Sequence, residues 1–196
     1  MARAAHEARL LVAREGLVVP ASAFRVHRLS AMGEDTVDLG GATIRAPALA
    51  ALTGRVTCVA AAACTLGPAL EARVSALFVD RQPLLAMALD SLGSEMLFKL
   101  SDRLHARIKR EARRCGLQVG PPQNPGDPGV GIEAQPTVRA LAGIGPDAVS
   151  ADPGGMLRPV KSLTFLVALG EELPAQPLAP RCIHCPSRDR CTVRPQ

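Results

Sequence analysis

The sequence contains no tryptophan and no tyrosine, and it has only four phenylalanines. Proteins that bind single-stranded nucleic acid stack the bases on aromatic side chains, so we expect no nucleic-acid partner despite the net charge of +5. No apolar run reaches the ~18 residues that a transmembrane helix needs. Because Glu7 and Glu15 interrupt the N-terminal apolar stretch, no secretory signal peptide is predicted, and we expect a cytoplasmic protein without a membrane partner.

Recognisable catalytic arrangements are missing as well. We find no pattern typical of a Ser-His-Asp triad or a Cys-His pair, so hydrolase chemistry is not indicated. The sequence leaves open whether the chain is an enzyme. Hydrophobic residues nevertheless make up 47% of the 196 residues, which suits one folded domain with a sizeable core. With so few aromatic residues, that core must be filled mainly by alanine, leucine and valine.

The strongest periodic signal predicts a long helix from Asp80 to Arg114. The apolar residues that recur at three- and four-residue steps along one of its faces are Leu85, Leu89, Leu92, Met96, Leu100, Leu104 and Ile108. The basic residues of the other face are Lys99, Arg103, Arg107, Lys109, Arg110, Arg113 and Arg114. Such a face is either a solvated surface or a docking site for an acidic partner, and the sequence does not decide between them.

Shorter patterns predict strands around this helix. Residues 55–64 have the composition of a buried strand, and residues 36–45 resemble a hairpin with a Gly-Gly turn. Residues 119–131 hold four prolines and four glycines, so we expect a loop that is neither helix nor central strand. A helix over 133–142 and a strand over 160–169 are predicted beyond that loop.

The sequence contains three stretches in a fixed order: VTCVAAAACTLGPALEARVSALF, NPGDPGVGIEAQ and MLRPVKSLTFLVALG. Together they resemble the activation domain of cobalamin-dependent methionine synthase, and more closely the small standalone proteins similar to that domain. The resemblance implies an α+β fold, in which a twisted antiparallel sheet packs against helices that include one long helix. The resemblance covers roughly residues 55–170, and Pro174, Pro177 and Pro180 follow it as a linker. The chain is therefore expected to consist of an activation-domain-like domain, residues 1–172, and a proline linker with a Cys-rich metal-binding tail, residues 173–196.

The resemblance also implies a function. In the full-length enzyme, this domain binds S-adenosylmethionine beside cobalamin, and oxidised cob(II)alamin is reduced and then remethylated. A corrinoid-binding or methyltransferase protein is therefore the implied partner, with cobalamin carried by that partner. The implied cofactor-binding cleft is lined by Pro125, Gly126, Asp127, Lys161 and Ser162.

Two positions depart from the pattern of the family. Asp127 stands where a tyrosine is expected, and Pro122 stands where an arginine is expected. A carboxylate lacks the stacking surface of a phenol, and proline offers no cation to a ligand carboxylate. The sequence therefore does not predict a family-like S-adenosylmethionine site. Asp127 and Glu133 could pair as acid and base, or they could simply cap a turn and a helix start.

The tail contains Cys182, Cys185 and Cys191 in the pattern C-x2-C-x5-C, which can aim three thiolates at one metal centre. An iron–sulfur cluster of the [4Fe–4S] type is favoured over zinc, because structural zinc usually takes four protein ligands. Unmetallated thiols are the third possibility. Cys115 ends the predicted long helix beside the Pro-Gly loop and is the candidate fourth ligand, since the two remaining cysteines lie in a predicted buried strand.

These expectations combine into one hypothesis and one alternative. The hypothesis is an accessory or reactivation protein for a corrinoid-dependent methyltransferase system, whose tail cluster transfers an electron towards cob(II)alamin. The alternative is a non-catalytic binding module that has lost the S-adenosylmethionine site, has a zinc-stabilised tail and docks through its basic helix.

Overall fold

A computed structural model describes residues 2–52, 56–127 and 129–173. The cysteines of the tail lie outside these residues. The α-helices of the described part are α1 (Ala2–Glu15), α2 (Pro47–Ala50), α3 (Ala69–Val79), α4 (Pro83–Arg114) and α5 (Gln135–Ala142), and a 3-10 turn (Ile132–Ala134) precedes α5. The strands are β1 (Ala21–Arg28), β2 (Ala31–Met32), β3 (Thr36–Asp38), β4 (Thr43–Arg45), β5 (Val56–Thr65), β6 (Gln118–Gln123), β7 (Ser150–Ala151), β8 (Leu157–Arg158) and β9 (Ser162–Gly170).

The main sheet of the described residues is antiparallel and has the strand order β1-β5-β9-β6. Its central strands, β5 and β9, are the apolar segments that the sequence marks as strands, and Ala62 of β5 lies between Phe24 of β1 and Phe165 of β9. Both central strands are buried on their two faces over most of their length, which explains why residues 59–64 of β5 and 165–170 of β9 are continuously apolar and do not alternate. The chain therefore has the α+β fold that the sequence predicts.

Alternation along the central strands divides the interior into two cores, one on each face of the sheet. On the first face, α1, α3 and α4 cover Ala62 and Phe165. On the second face, α5 and the small β2-β3-β4 sheet cover Ala61 and Leu166. A residue of the central strands therefore packs against either the α4 layer or the α5 layer, depending on the face of the sheet on which it lies.

Helix α4 confirms the long helix predicted from the sequence. Its most buried apolar residues include Leu85, Leu89, Leu104 and Ile108. It begins at Pro83, not at Asp80, because Arg81 has a φ of 57° and turns the chain between α3 and α4. A proline suits the first helical turn, where no N–H is needed as a donor. Among the described helices, none is both long enough and apolar enough to cross a lipid bilayer.

The proline- and glycine-rich segment differs from the prediction in its first part. The sequence predicts a loop from residue 119, but residues up to Gln123 form β6 at the edge of the main sheet. A proline cannot donate a ladder hydrogen bond, and an edge strand tolerates this because only one of its sides is paired. The register of β6 against β9 also shifts between Val119 and Pro122. The segment is thus neither helix nor central strand, as predicted, but its loop starts only after Gln123.

Candidate functional site

The loop that follows β6 is held by its own hydrogen bonds. The N–H of Asp127 donates to the carbonyl of Asn124 at 3.0 Å, and the side-chain amide of Asn124 donates to the carboxylate of Asp127. Gly126 and Gly129 have φ angles of 98° and 107°, which residues with a Cβ rarely adopt. Pro125, which belongs to this turn, is buried. The loop therefore has a defined shape that depends on its glycines.

This loop forms one wall of an open cleft with a volume of about 350 Å³. The facing wall is built by Arg45, at the end of β4, and by Pro47, at the start of α2. The remaining lining comes from residues 126, 127 and 129–132. Small-molecule sites usually have volumes of roughly 300–1,000 Å³, so the cleft is large enough for a small ligand.

Among its described lining residues, the cleft has one charged side chain of each sign. Arg45 is largely exposed, and its Nε donates to Asp35 Oδ2 at 2.8 Å. Asp127 is exposed, and its carboxylate accepts the hydrogen bond from Asn124. None of the described lining residues is aromatic. The lining therefore provides no ring on which an adenine could stack, and its arginine is already paired with an acid, so these residues do not reproduce the family's arginine–tyrosine pair.

Lys161 lies on the α4 side of the sheet, away from this cleft. Its Nζ donates to Ser94 Oγ at 2.9 Å and lies 2.8 Å from Asp90 Oδ1. The residue is 8% exposed, and its Cε approaches Gly93 in the middle of α4. Lys161 therefore contacts the first core and contributes nothing to the lining of the cleft.

Ser162 points to the opposite face of the sheet. Its hydroxyl donates to Thr65 Oγ1 at 2.8 Å, and that oxygen also accepts the backbone N–H of Gly67. Thr164, two residues further along the strand and thus on the same face, donates to Gln135 at the start of α5. The cleft is not lined by Ser162 either. Of the five predicted cofactor-binding residues, Gly126 and Asp127 line the cleft, and Pro125, the residue before them, is buried.

Arg45 and Pro47 line the cleft from outside the Pro-Gly loop, and the sequence did not indicate them. The hairpin that contains Arg45 is predictable, because its alternating residues flank a Gly-Gly turn. Nothing in the sequence, however, relates this hairpin to a loop about 80 residues later in the chain. Only the tertiary arrangement, in which both elements cover the second face of the sheet, brings them together.

Glu133, the other candidate acid, takes no part in the cleft. It lies in the 3-10 turn before α5, and its carboxylate folds back over Gly131. An acid in the first turn of a helix is favoured by the partial positive charge of that end. The structure thus agrees with the helix-start interpretation of Glu133 and does not pair it with Asp127.

Cys115 follows the last residue of α4 and is exposed. The sequence places it beside the Pro-Gly loop, but β6 runs between the two, and its six residues span about 20 Å. Cys115 instead lies close to the end of the described chain. Gln118, three residues further on, accepts the backbone N–H of Leu173 through its Oε1 at 3.0 Å.

The other described cysteines, Cys58 and Cys64, lie in β5, where Cys58 is partly buried and Cys64 fully buried, and neither forms a disulfide with another described residue. This agrees with their expected role as small core residues. The described residues contain no group of three or more His, Cys, Asp or Glu side chains that could hold a metal ion. Because Cys182, Cys185 and Cys191 lie outside those residues, the metal centre stays a prediction.

Comparison with solved structures identifies the fold. The chain is similar to a structure described as the MetH reactivation domain bound to AdoHcy, with a TM-score of 0.65. The sequence identity is 14%, and the similarity covers 90% of this chain and 67% of that chain. At this identity, the likeness shows a shared fold. No protein-family model and no curated protein matches the sequence.

Proposed function

We propose that the protein is an accessory protein that helps to return an inactive corrinoid-dependent methyltransferase to its active state. The observation that carries the proposal is the fold that nearly the whole described chain shares with the MetH reactivation domain. The three sequence stretches that resemble the activation domain of cobalamin-dependent methionine synthase include β5, the loop after β6, and β9. The proposed partner is a corrinoid-binding or methyltransferase protein.

The residues of the cleft favour reduction over methyl donation as the contribution of this chain. Asp127 places a carboxylate where the family has a phenol, and the paired state of Arg45 leaves it poorly suited to bind the carboxylate of S-adenosylmethionine. A second carboxylate next to Asp127 would be repelled, since like charges at short distance are unfavourable. In the proposed function, the cleft therefore does not supply the methyl group.

The proposed carrier of the electron is an iron–sulfur cluster held by Cys182, Cys185 and Cys191, with Cys115 as fourth ligand. Such a cluster would relay single electrons from an external one-electron reductant to cob(II)alamin, whose reduction requires one electron. The position of Leu173 beside Gln118 supports the participation of Cys115. Nine residue steps separate Leu173 from Cys182, and they reach at most about 30 Å, so the first tail cysteine is within range of Cys115.

The alternative function is a binding module without electron transfer, in which the tail holds a structural zinc ion. The absence of an aromatic residue from the described cleft lining agrees with this alternative as well as with the first function, since neither requires a family-like methyl donor in the cleft. The first function requires an iron–sulfur cluster and the alternative a zinc ion, so identification of the bound metal distinguishes the two functions.

The first experiment purifies the full chain without oxygen and measures iron, acid-labile sulfide and zinc, together with the visible absorption spectrum. We expect a brown protein with iron and sulfide in equal amounts. A colourless, folded protein with one zinc ion per chain would support the alternative and contradict the electron-transfer role.

The second experiment tests the partner and the ligand. The tagged chain is captured from the cells that produce it, and we expect cobalamin in the captured fraction; a fraction without cobalamin would contradict the proposed partner. Calorimetry with S-adenosylmethionine and S-adenosylhomocysteine should show no binding at micromolar concentration. Micromolar binding would mean that Asp127 and Pro122 do not remove the donor site.

A further inference from the structure

The first strand of the main sheet, β1, has an outer edge that no described strand covers. All eight of its residues pair with β5 in an unbroken antiparallel register, from Ala21 opposite Thr65 to Arg28 opposite Cys58. Within the described part of the chain, no backbone hydrogen bond joins the other side of β1 to any residue. Its outward N–H and C=O groups are therefore available to a further strand.

The opposite edge of the sheet is closed to such an addition. There, β6 contains Pro121 and Pro122, which have no N–H to donate, and its register shifts between Val119 and Pro122. Prolines and bulges are the usual means by which edge strands avoid further pairing. Strand β1 has neither a proline, a glycine nor a register shift. If this sheet is extended, the extension takes place at β1.

Cations surround the open edge on both faces of the sheet. Phe24 packs against the first core and Ala23 against the second, so alternation places Arg28 on the α4 face and Arg25 on the α5 face. Both arginines are exposed. On the α4 face, the guanidinium of Arg107 lies 5.4 Å from the centre of the Phe24 ring.

These arginines lack acidic partners in the described structure. No carboxylate of the described residues lies within 4.0 Å of the guanidinium of Arg25, Arg28 or Arg107, whereas Lys99 and Arg114 on α4 pair with neighbouring glutamates. Between the arginines of β1, Val26 is 49% exposed and offers an apolar contact. The edge thus combines unpaired backbone, positive charge and one apolar side chain.

We propose that β1 is a docking site for an acidic extended segment of a partner protein, which adds to the main sheet as a fifth strand. Backbone hydrogen bonds to β1 would hold the segment, and its carboxylates would pair with Arg25, Arg28 and Arg107. A second copy of this chain is a poor occupant, because pairing β1 with β1 would bring these arginines close to each other. The inference does not depend on the proposed cobalamin function.

The test uses the full chain and a fluorescein-labelled heptapeptide with alternating glutamate and valine residues. Fluorescence anisotropy measures its affinity, and amide hydrogen exchange locates it. We expect slower exchange within residues 21–28 and unchanged exchange in β6. A peptide with lysine in place of glutamate, and an acidic peptide with proline in place of the central valine, should both bind at least about tenfold more weakly.

Charge reversal at single positions provides the matched variants. Arg28→Glu should weaken binding of the acidic peptide about tenfold, because a favourable cross-strand pair becomes a repulsive one. Arg25→Glu, on the other face, gives a second measurement should the first variant fold poorly. Arg14→Glu, on α1 and exposed, changes the net charge equally and should alter the affinity less than about twofold.

Two results would overturn the docking site. Equal binding of the proline peptide would show that only charge is recognised and that no strand is added. Binding of a short DNA duplex with protection of β1, together with no binding of the acidic peptide, would show a nucleic-acid surface in its place.

Discussion

The ammonium group of Lys161 lies 2.8 Å from Asp90 Oδ1, so a lysine that the family resemblance assigns to a cleft joins the start of β9 to helix α4. Its backbone carbonyl accepts the N–H of Leu66 at 3.0 Å, which ties the same residue to the segment after β5. Lys161 thus connects three segments of the fold. We therefore expect replacement of Lys161 to affect mainly the stability of the protein.

Replacement of this lysine tests that role. Lys161→Met removes the hydrogen bond to Ser94 and the ion pair with Asp90, and we expect a loss of about 1–2 kcal/mol in the free energy of unfolding. The loss is limited because Asp90 is half-exposed and can be hydrated. Lys99→Met, which removes an exposed ion pair one helical turn long, should cost less than about 0.5 kcal/mol. Urea denaturation measures the free energy of unfolding of both variants. Equal losses in the two variants would show that the contacts of Lys161 stabilise the fold no more than an exposed ion pair does.

Gly93 allows α4 to approach the neighbouring elements closely. A Cβ at this position would lie 2.9 Å from Leu70 Cδ2 and 3.3 Å from Lys161 Cε. The better helix propensity of alanine contributes up to about 1 kcal/mol, and overpacking costs about 1–3 kcal/mol. Because Leu70 is fully buried, its methyl groups can shift only by disturbing the packing around them, and we expect Gly93→Ala to destabilise the protein by about 1 kcal/mol in thermal unfolding.

A double-variant cycle is the control for this steric explanation. Leu70→Ala creates space beside Gly93, so the combined variant should lose less stability than the sum of the two single variants. Gly145→Ala, where a Cβ meets nothing within 4 Å, should change the stability by less than about 0.5 kcal/mol. Additive losses in the cycle would show that Leu70 is not the neighbour that matters.

The pH dependence of stability should reveal the Glu95–Lys99 pair. The hydrogen bond from Lys99, and then its charge, lower the pKa of the Glu95 carboxyl below its ordinary value. A lowered pKa in the folded state stabilises the protein above the ordinary pKa of about 4.3, and that contribution disappears as the pH falls through the folded-state pKa. Glu95→Gln should therefore be slightly less stable than the wild type at neutral pH, by at most about 0.5 kcal/mol, and equally stable in acid.

Urea denaturation of both forms at neutral and acidic pH measures this difference. High salt should reduce the difference at neutral pH, since the pair is largely exposed. If the difference in unfolding free energy between the wild type and Glu95→Gln grew as the pH falls, the ion pair would not be its cause, because protonation of Glu95 removes the pair.

Cysteine replacement tests the ligands of the proposed metal centre. Cys182→Ser should abolish most of the bound metal, and Cys115→Ser should lower the metal content or change its visible spectrum, because each removes a thiolate. Cys58→Ser, in the partly buried part of β5, should retain the metal. Full metal content in Cys115→Ser would show that the centre has an open coordination position.

The sequence predicted those parts of the fold that depend on local periodicity. The apolar stripe of α4 and the hairpin around Gly40 and Gly41 are examples, because residues three to four apart, or on either side of a turn, determine them. Strand β6 was not predicted, because its two prolines are typical of loops. A strand can contain them here only because β6 lies at the edge of the sheet, where missing N–H donors are tolerated.

The candidate site was less predictable than the fold. Adjacent residues at the start of a strand point to opposite faces, and this separates Lys161 from Ser162 although the sequence groups them. The contact between the hairpin of Arg45 and the loop of Asp127 depends on tertiary packing, which no local pattern encodes.

The alanines of β5 have a consequence for how this protein can vary. Residues 60–63 are all alanine, all fully buried, and they face the two cores in turn. A larger side chain at Ala60 or Ala62 would push against the layer of α4, and one at Ala61 or Ala63 would push against the layer of α5. At these four positions, neither face of the strand is exposed to solvent, so a larger side chain has no free space on either face. In a library of random variants, this short segment should be the most intolerant of the chain, and the size of the side chain should decide survival there more than its polarity.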